Sequence, residues 1–321
     1  MWEWLKDFRF WITENIRGVG IKRIFLVLLA ILLLYYPIGM IVIHVIDDDR
    51  TFRPANYTMT GNASYAVAMS SALIDREVNQ HSWISNDPFF YPSGPLDNMA
   101  NYQQGIIAAI ARFSFELVDQ LGRTRGSSKA DPDLQEVSGL LQYPADKWWW
   151  DPSVSLLPVS TSEAQYRSAL KKLRNYNQRL AAGEAVFERR GDNLLATLDR
   201  IALDLGASSA ALDKYIREGF GCVFDMGADD LFYNVKGQAY AYSMILKALR
   251  HDFEQVIKDR ELNSTWNEME ESFASVVDLD PTIISNCQPD GMAFPNHLAA
   301  QGFYLLRART QLKELTNILL K

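Results

Sequence analysis

Hydrophobic positions follow three different rules along this chain. From Ile24 to Ile46 it reads IFLVLLAILLLYYPIGMIVIHVI, with no Asp, Glu, Lys or Arg. A helix packed on a soluble core keeps a polar side, whereas this run is apolar on every face. At roughly 1.5 Å per residue it spans a hydrocarbon core of about 30 Å. It predicts a transmembrane helix over residues 24–46. Before it, Trp4, Leu5, Phe8, Trp11, Ile12, Ile16 and Val19 recur at three- and four-residue spacing, with Glu3, Lys6, Asp7, Thr13, Glu14 and Arg17 opposite. Aromatic residues over a charged face predict an amphipathic segment over 1–23, lying in the headgroup plane.

Beyond Ile46 the pattern becomes striped. Val235, Ala239, Tyr242, Leu246, Leu249, Phe253 and Val256 alternate four- and three-residue steps, a heptad-like seam. Leu298, Leu305, Leu312 and Leu319 repeat every seven residues, with Ala308 and Leu315 between them and Gln301 polar in the same series. Leu194, Leu198, Ile201 and Leu205 mark another stripe, as do Met99, Tyr102, Ile106, Ala109, Phe113 and Leu117. A charged helix over 163–181 turns Leu170, Leu173 and Leu180 inward, and weaker patterns occupy 63–80, 132–141, 208–217 and 263–277. Thr161, Asp192 and Asp229 are placed to cap helices, and Pro295 suits a first turn. No alternating stretch has strand length. The fold class is all-α: one N-terminal transmembrane helix, then a bundle of long antiparallel helices over 47–321.

Three irregular stretches interrupt the stripes: NDPFFYPSGPLDN (86–98), GRTRGSSKADPD (122–133) and YPADKWWWDPSVSLLPVS (143–160). The loop-rich 122–159 segment is a candidate joint between lobes 51–121 and 160–321. Consecutive residues on an extended chain face opposite sides, so Trp148, Trp149 and Trp150 cannot all enter one core. The expectation is a core pair, Trp148 and Trp150, with Trp149 outward and available to a partner. Phe89, Phe90 and Tyr91 join them as candidate binding residues, unless both loops lid the bundle ends and bury their rings together.

Charge sets the orientation of the apolar run. Lys6, Arg9, Arg17, Lys22 and Arg23 precede it and Asp47, Asp48 and Asp49 follow. Cytoplasmic flanks carry excess Lys and Arg, which puts the N-terminus inside and the large domain outside. A signal peptide has a shorter apolar region ending at a small-residue cleavage site, so an uncleaved anchor is expected. The net charge of −7 over 321 residues argues against nucleic acid, whose partners carry basic stripes. Lys171, Lys172, Arg174 and Arg179 read as a solvated helix face.

Chemistry is harder to find. No GxSxG, phosphate loop, HExxH or GxGxxG occurs, and no metal or cofactor motif is present. Asp225, Asp229 and Asp230 form an acidic cluster without calcium-loop spacing, which helix capping explains. His251 and Glu254 share a helix face in the reverse of the di-iron order. Cys222 and Cys287 are a possible disulfide if their Cα atoms come within about 7 Å.

The segments KWWWDPSV, VFDMGADDLFYNVKGQAYAYSMILKAL and FPNHLAAQGFYLLRARTQLKEL resemble a bacterial family, domain of unknown function 2333. The resemblance implies a Gram-negative-type inner membrane, a periplasmic domain and no established activity; it carries over no catalytic residue. Three readings follow. The first is a non-enzymatic interaction or scaffold module that binds the lipid bilayer and other envelope proteins. The others are an envelope hydrolase using Asp225, Asp229, Asp230 and His297, and a bundle that holds a lipid or other apolar ligand.

Overall fold

The computed structural model of the chain describes residues 21–54, 61–123, 129–150, 152–153, 155–219, 221–223, 225–289 and 294–321. Of the amphipathic segment expected over 1–23, residues 1–20 lie outside them. Among the described residues there are ten α-helices and no strand. The chain divides into two compact units: residues up to Val45 with Pro88–Leu96, and Ile46–Asp87 with Asp97–Lys321.

The first unit is helix α1, Ile21–Ile43, with the short loop Pro88–Leu96. The helix runs through Pro37 and ends three residues before the apolar run does. From Arg23 to Ile43 it is long and apolar enough to cross a membrane, most of its side chains are exposed and none is buried. The loop sits on it at two points. The Tyr36 hydroxyl donates to the Phe89 carbonyl at 2.9 Å. Gly39 faces Pro92 so closely that a Cβ there would lie 2.4 Å from the proline Cβ and Cγ.

The second unit is built from nine helices. They are α2 (Tyr65–Asp75), α3 (Asp97–Glu116), α4 (Pro132–Leu140), α5 (Ser162–Ala181), α6 (Gly191–Glu218), α7 (Met226–Asp252), α8 (Glu254–Asp259), α9 (Asn263–Val277) and α10 (His297–Leu319). The stripes read from the sequence become its core. Val235, Ala239, Tyr242, Leu246 and Leu249 are buried along α7, and Leu298, Leu305, Leu312 and Leu315 along α10. Gln301 is buried too, and its amide donates to the Phe232 carbonyl at 2.9 Å. The patterns at 194–205 and 208–217 are one helix, α6, because Gly206 carries no barrier strong enough to stop it. The possible division into lobes 51–121 and 160–321 does not appear: Met69, Ile106, Leu198 and Leu246 share one buried cluster.

Most neighbours run antiparallel. Asp199 pairs with Lys313 and Gly206 lies against Arg309, so α6 and α10 are opposed. Asp252 meets Ser64 while Tyr240 meets Arg76, so α2 and α7 are opposed as well. Helices α3 and α7 depart from this, since Asn101 meets Asp230 and Gly105 meets Asn234 and Gln238. They run in the same direction. Two glycines allow the close approach: a Cβ on Gly105 would lie 2.1 Å from the Asn234 carbonyl oxygen, and one on Gly237 2.1 Å from that of Tyr102.

Caps place the helix starts. Thr161 accepts from the Ala164 amide, as expected. Helix α7 begins earlier than a cap at Asp229 would start it: Asp225 caps it, accepting from Ala228 N, and Asp229 falls inside the first turn. Asp192 likewise lies in the first turn of α6, where no side chain caps. Asn296, and not Pro295, opens α10. Single turns of π-helix, Arg76–Gln80 and Leu117–Leu121, extend α2 and α3.

Candidate functional site

The three aspartates after the apolar run are held by the helical unit. Asp47 lies 3.3 Å from Arg76 and Asp48 2.7 Å from the Lys236 amine. The carbonyls of Asp47 and Asp49 accept from the Tyr102 and Tyr240 hydroxyls at 2.8 and 2.9 Å. Arg76 is fully buried between the Phe52 and Tyr240 rings, 4.9 Å from each centroid, and is paired with buried Glu77 at 2.7 Å. The π turn carries Arg76 and Glu77 inward together, where a regular helix spreads consecutive side chains around its axis. Burial works against the Arg76 charge, but Glu77, the two tyrosines and Asp47 outweigh it and hold the group protonated. Desolvating an ion is costly unless it is paired and hydrogen-bonded; here Arg76 pairs with Glu77, and its Nε and Nη1 donate to Glu77 and to the Tyr240 hydroxyl.

The acidic cluster occupies the end where α3 and α7 both begin. Because the two helices are parallel, their positive dipole ends lie side by side and favour carboxylates. Asp97 and Asn98 come from α3; Asp229 and Asp230 come from α7. With its amide turned to donate, Asn98 reaches Asp229 at 2.7 Å, and Asn101 donates to Asp230 at 2.7 Å. Burial, and then the charges of Asp97 and Asp230, push the Asp229 carboxyl up to about 6 despite the Asn98 bond. Burial and Asp97 also raise Asp230, against the Asn101 bond. Asp225 accepts from the Tyr215 hydroxyl at 2.7 Å, and burial followed by that bond pushes the phenol up to about 12.

An open groove of about 1060 Å³ runs beside these residues, lined by Lys214, Tyr215, Asp225, Met226, Asp230 and Asn234 among others. Asp229 is not on its wall. His297 is engaged elsewhere: its Nδ1 accepts from the Ser285 amide at 3.0 Å, while the Ser285 hydroxyl donates to the Pro295 carbonyl at 2.8 Å. Burial lowers its pKa. Folding thus gathers Asp97 with Asp229 and Asp230, places Asp225 on the groove, and leaves His297 bonded to a buried serine. Among the described residues no group of three or more His, Cys, Asp or Glu is arranged to hold a metal ion.

Next to His297 the structure joins Cys222 to Cys287 by a disulfide, with Cα atoms 4.1 Å apart. The bridge ties the α6–α7 connection to the segment before α10. The Asn286 amide donates to the Cys222 carbonyl at 2.9 Å, and single bridges pair Val223 with Ser285 and Asn286 with Asn296.

The aromatic candidates belong to different units. Phe89, Phe90 and Tyr91 pack ring against ring in the first, with centroids 5.6 and 5.2 Å apart. Trp148, Trp149 and Trp150 form a second chain of rings, 5.1 and 6.5 Å apart. The expected pairing of Trp148 with Trp150 as core residues is not what folding produces: Trp149 and Trp150 are exposed alike, at 47% and 46%, and Trp148 is half-buried. Alternation applies to an extended strand, and this stretch is a succession of turns. Its base is firmly held. Asn86 and the Ser162 amide donate to the Lys147 carbonyl at 2.8 and 3.0 Å, and Val159 N donates to Trp149 O at 2.9 Å. Beyond the clasp, Leu156 and Leu157 are exposed as well.

Three of the four basic residues read as one face of α5 are paired: Lys172 with Asp133 and Glu136, Arg174 with Asp75, and Arg179 with Asp131 and Asp133. His251 lies against the Tyr65 ring, and a break at Phe253 separates it from Glu254.

Sequence reasoning missed Asp97, Asn98 and Asn101 in the acidic cluster, because about 130 residues separate them from their α7 partners and no local pattern links them. It also missed Arg76, Glu77 and Lys236. The only local signal was a charge pair, and a lysine beside the seam, in stretches that otherwise read as core.

Residues 21–219 and 225–321 match a family described as an uncharacterised protein conserved in bacteria; the gap contains Cys222. No curated protein and no solved structure matches the chain.

Proposed function

The chain belongs to the DUF2333 family, and from that footing we propose that it is a membrane-anchored interaction module of the cell envelope. In this reading α1 crosses the inner membrane with its N-terminus cytoplasmic, and the helical unit is periplasmic and binds other envelope proteins. The length and exposed apolar surface of α1 support the anchor. Lys22 and Arg23 before it, and the Asp47–Asp49 run after it, support the orientation. The Cys222–Cys287 bridge supports it independently, since disulfides persist in oxidising compartments.

The observation that carries the interaction role is the clasped loop with Trp149, Trp150, Leu156 and Leu157 turned outward. Large apolar side chains held outward by a fixed backbone lose little freedom on binding, and tryptophan is enriched among interface hot spots.

The test is a photocrosslinking side chain at Trp149 or Leu157 in living cells, with Glu218 as an exposed control. A discrete protein adduct is expected at the loop and not at Glu218. It should disappear with Trp150→Ala while the melting temperature of that variant hardly changes. Adducts indistinguishable from those at Glu218 remove the loop from the proposal.

A further inference from the structure

We propose that the Pro88–Leu96 loop is a re-entrant element that seats its aromatic side chains in the lipid of the outer leaflet, alongside α1. This rests on the reading of α1 as a membrane anchor. The loop is PFFYPSGPL, with no charged residue, and Asp87 and Asp97 bound it on either side. It is fixed to α1 at Tyr36 and Gly39, seven and four residues before the helix ends at Ile43. At about 1.5 Å per residue, that seat lies roughly 6 to 10 Å inside the end of the apolar helix. A loop of this length, going in and returning with about four residues each way at about 3.3 Å, reaches such a depth without strain.

Its hydrogen bonding suits that solvent. Irregular backbone at membrane depth is tolerated where protein covers it, and α1 covers this loop on the side of Phe89 O and Pro92. Prolines at 88, 92 and 95 carry no amide hydrogen. The amides of Tyr91, Gly94 and Leu96 donate inside the loop, to Pro88, Tyr91 and Ser93, at 2.9, 3.0 and 2.8 Å. The Phe89 carbonyl accepts from Tyr36. What the loop turns outward is apolar: Phe89 is 82% exposed, with Phe90 and Tyr91 beside it. A phenylalanine so exposed in water is costly, but at the depth of Tyr36 its surroundings are those of α1 itself. Tyrosine rings are enriched near membrane interfaces, which suits Tyr91 beside the two phenylalanines.

The experiment uses the full chain in phospholipid nanodiscs, with a nitroxide label on Phe89→Cys and, separately, on Leu29→Cys and Lys214→Cys. Collisions with oxygen, which concentrates in lipid, are compared with those of a water-soluble nickel chelate. The oxygen-to-nickel ratio at position 89 should shift to the side of Leu29, opposite to Lys214. Adding Gly39→Leu, which fills the seat of Pro92, should reverse the ratio at position 89 and leave Leu29 unchanged. A water-like ratio at 89 beside a lipid-like ratio at 29 overturns the proposal and leaves the anchor standing. Shielding of 89 from both probes overturns it in favour of a protein contact. A water-like ratio at 29 overturns the anchor reading, and this inference with it.

Discussion

Gly105 and Gly237 hold α3 and α7 at a distance where any side chain strikes backbone, since each faces a carbonyl oxygen at 2.1 Å from the Cβ position. Backbone cannot swing aside as a flexible side chain does. Gly105→Ala or Gly237→Ala should therefore cost about 1 to 3 kcal/mol or more, as overpacking does. Gly139→Ala is the contrast: nothing lies within 4 Å of the position in α4, so alanine should gain up to about 1 kcal/mol through helix propensity. Denaturant melts of the three variants check both signs. Asp229 makes the other prediction at this scale. Its folded carboxyl titrates near 6, above the ordinary value of 3.8, so the folded state holds the proton more tightly than the unfolded chain. Its contribution to stability is then present below about pH 4 and is lost as pH rises through 6. Asp229→Asn should raise the melting temperature at pH 7.5, and the advantage should fade by pH 4. That Asp229 lies in an acidic cluster was legible in the sequence. That Asp97 raises its pKa was not, because the two meet only through the packing of α3 on α7.

Among the elements, the clamp on the Asp47–Asp49 segment depends on the π turn that ends α2. It gives Arg76 two neighbours of opposite sign, Glu77 within the turn and Asp47 from the incoming chain. Glu77 is 1% exposed, so Arg76→Met leaves a buried carboxylate without its partner and should cost roughly 3 to 5 kcal/mol. Adding Glu77→Gln should recover part of that loss, because the uncompensated charge is then gone. Lys236→Met should cost less: its partner Asp48 is 37% exposed and can hydrate. A double-mutant cycle read by chemical denaturation checks the ranking. The apolar stripes along α3, α5, α7 and α10 were plain from periodicity. The π turn was not, because it is a local departure from the 3.6-residue period that tertiary packing stabilises.

Over the molecule as a whole, the disulfide links parts of the helical unit 65 residues apart in sequence. By loop-closure entropy, such a link is worth roughly 4 kcal/mol. Reduction, or Cys222→Ser with Cys287→Ser, should lower the denaturation midpoint accordingly, while the helical circular-dichroism signal at low denaturant stays intact. An unchanged midpoint under reducing conditions means that the thiols are not bridged in the protein. Alkaline phosphatase fused at Lys321 tests the same compartment by another route, since it matures only where disulfides form; activity is the expected outcome.

What the sequence by itself determined is whatever depends on neighbours along the chain. A charge-free apolar run makes a helix long enough to span a membrane, and residues recurring at three and four make helices that bury one stripe. Both are local consequences of helical geometry and of the cost of wetting apolar surface. The tertiary structure alone decided which helices run parallel, which carboxylates share an end, which tryptophans stay outside, and where the Asp47–Asp49 segment docks. Each of these depends on contacts between residues far apart in sequence. A chain pattern specifies which face of a helix is buried, but not which other face will cover it.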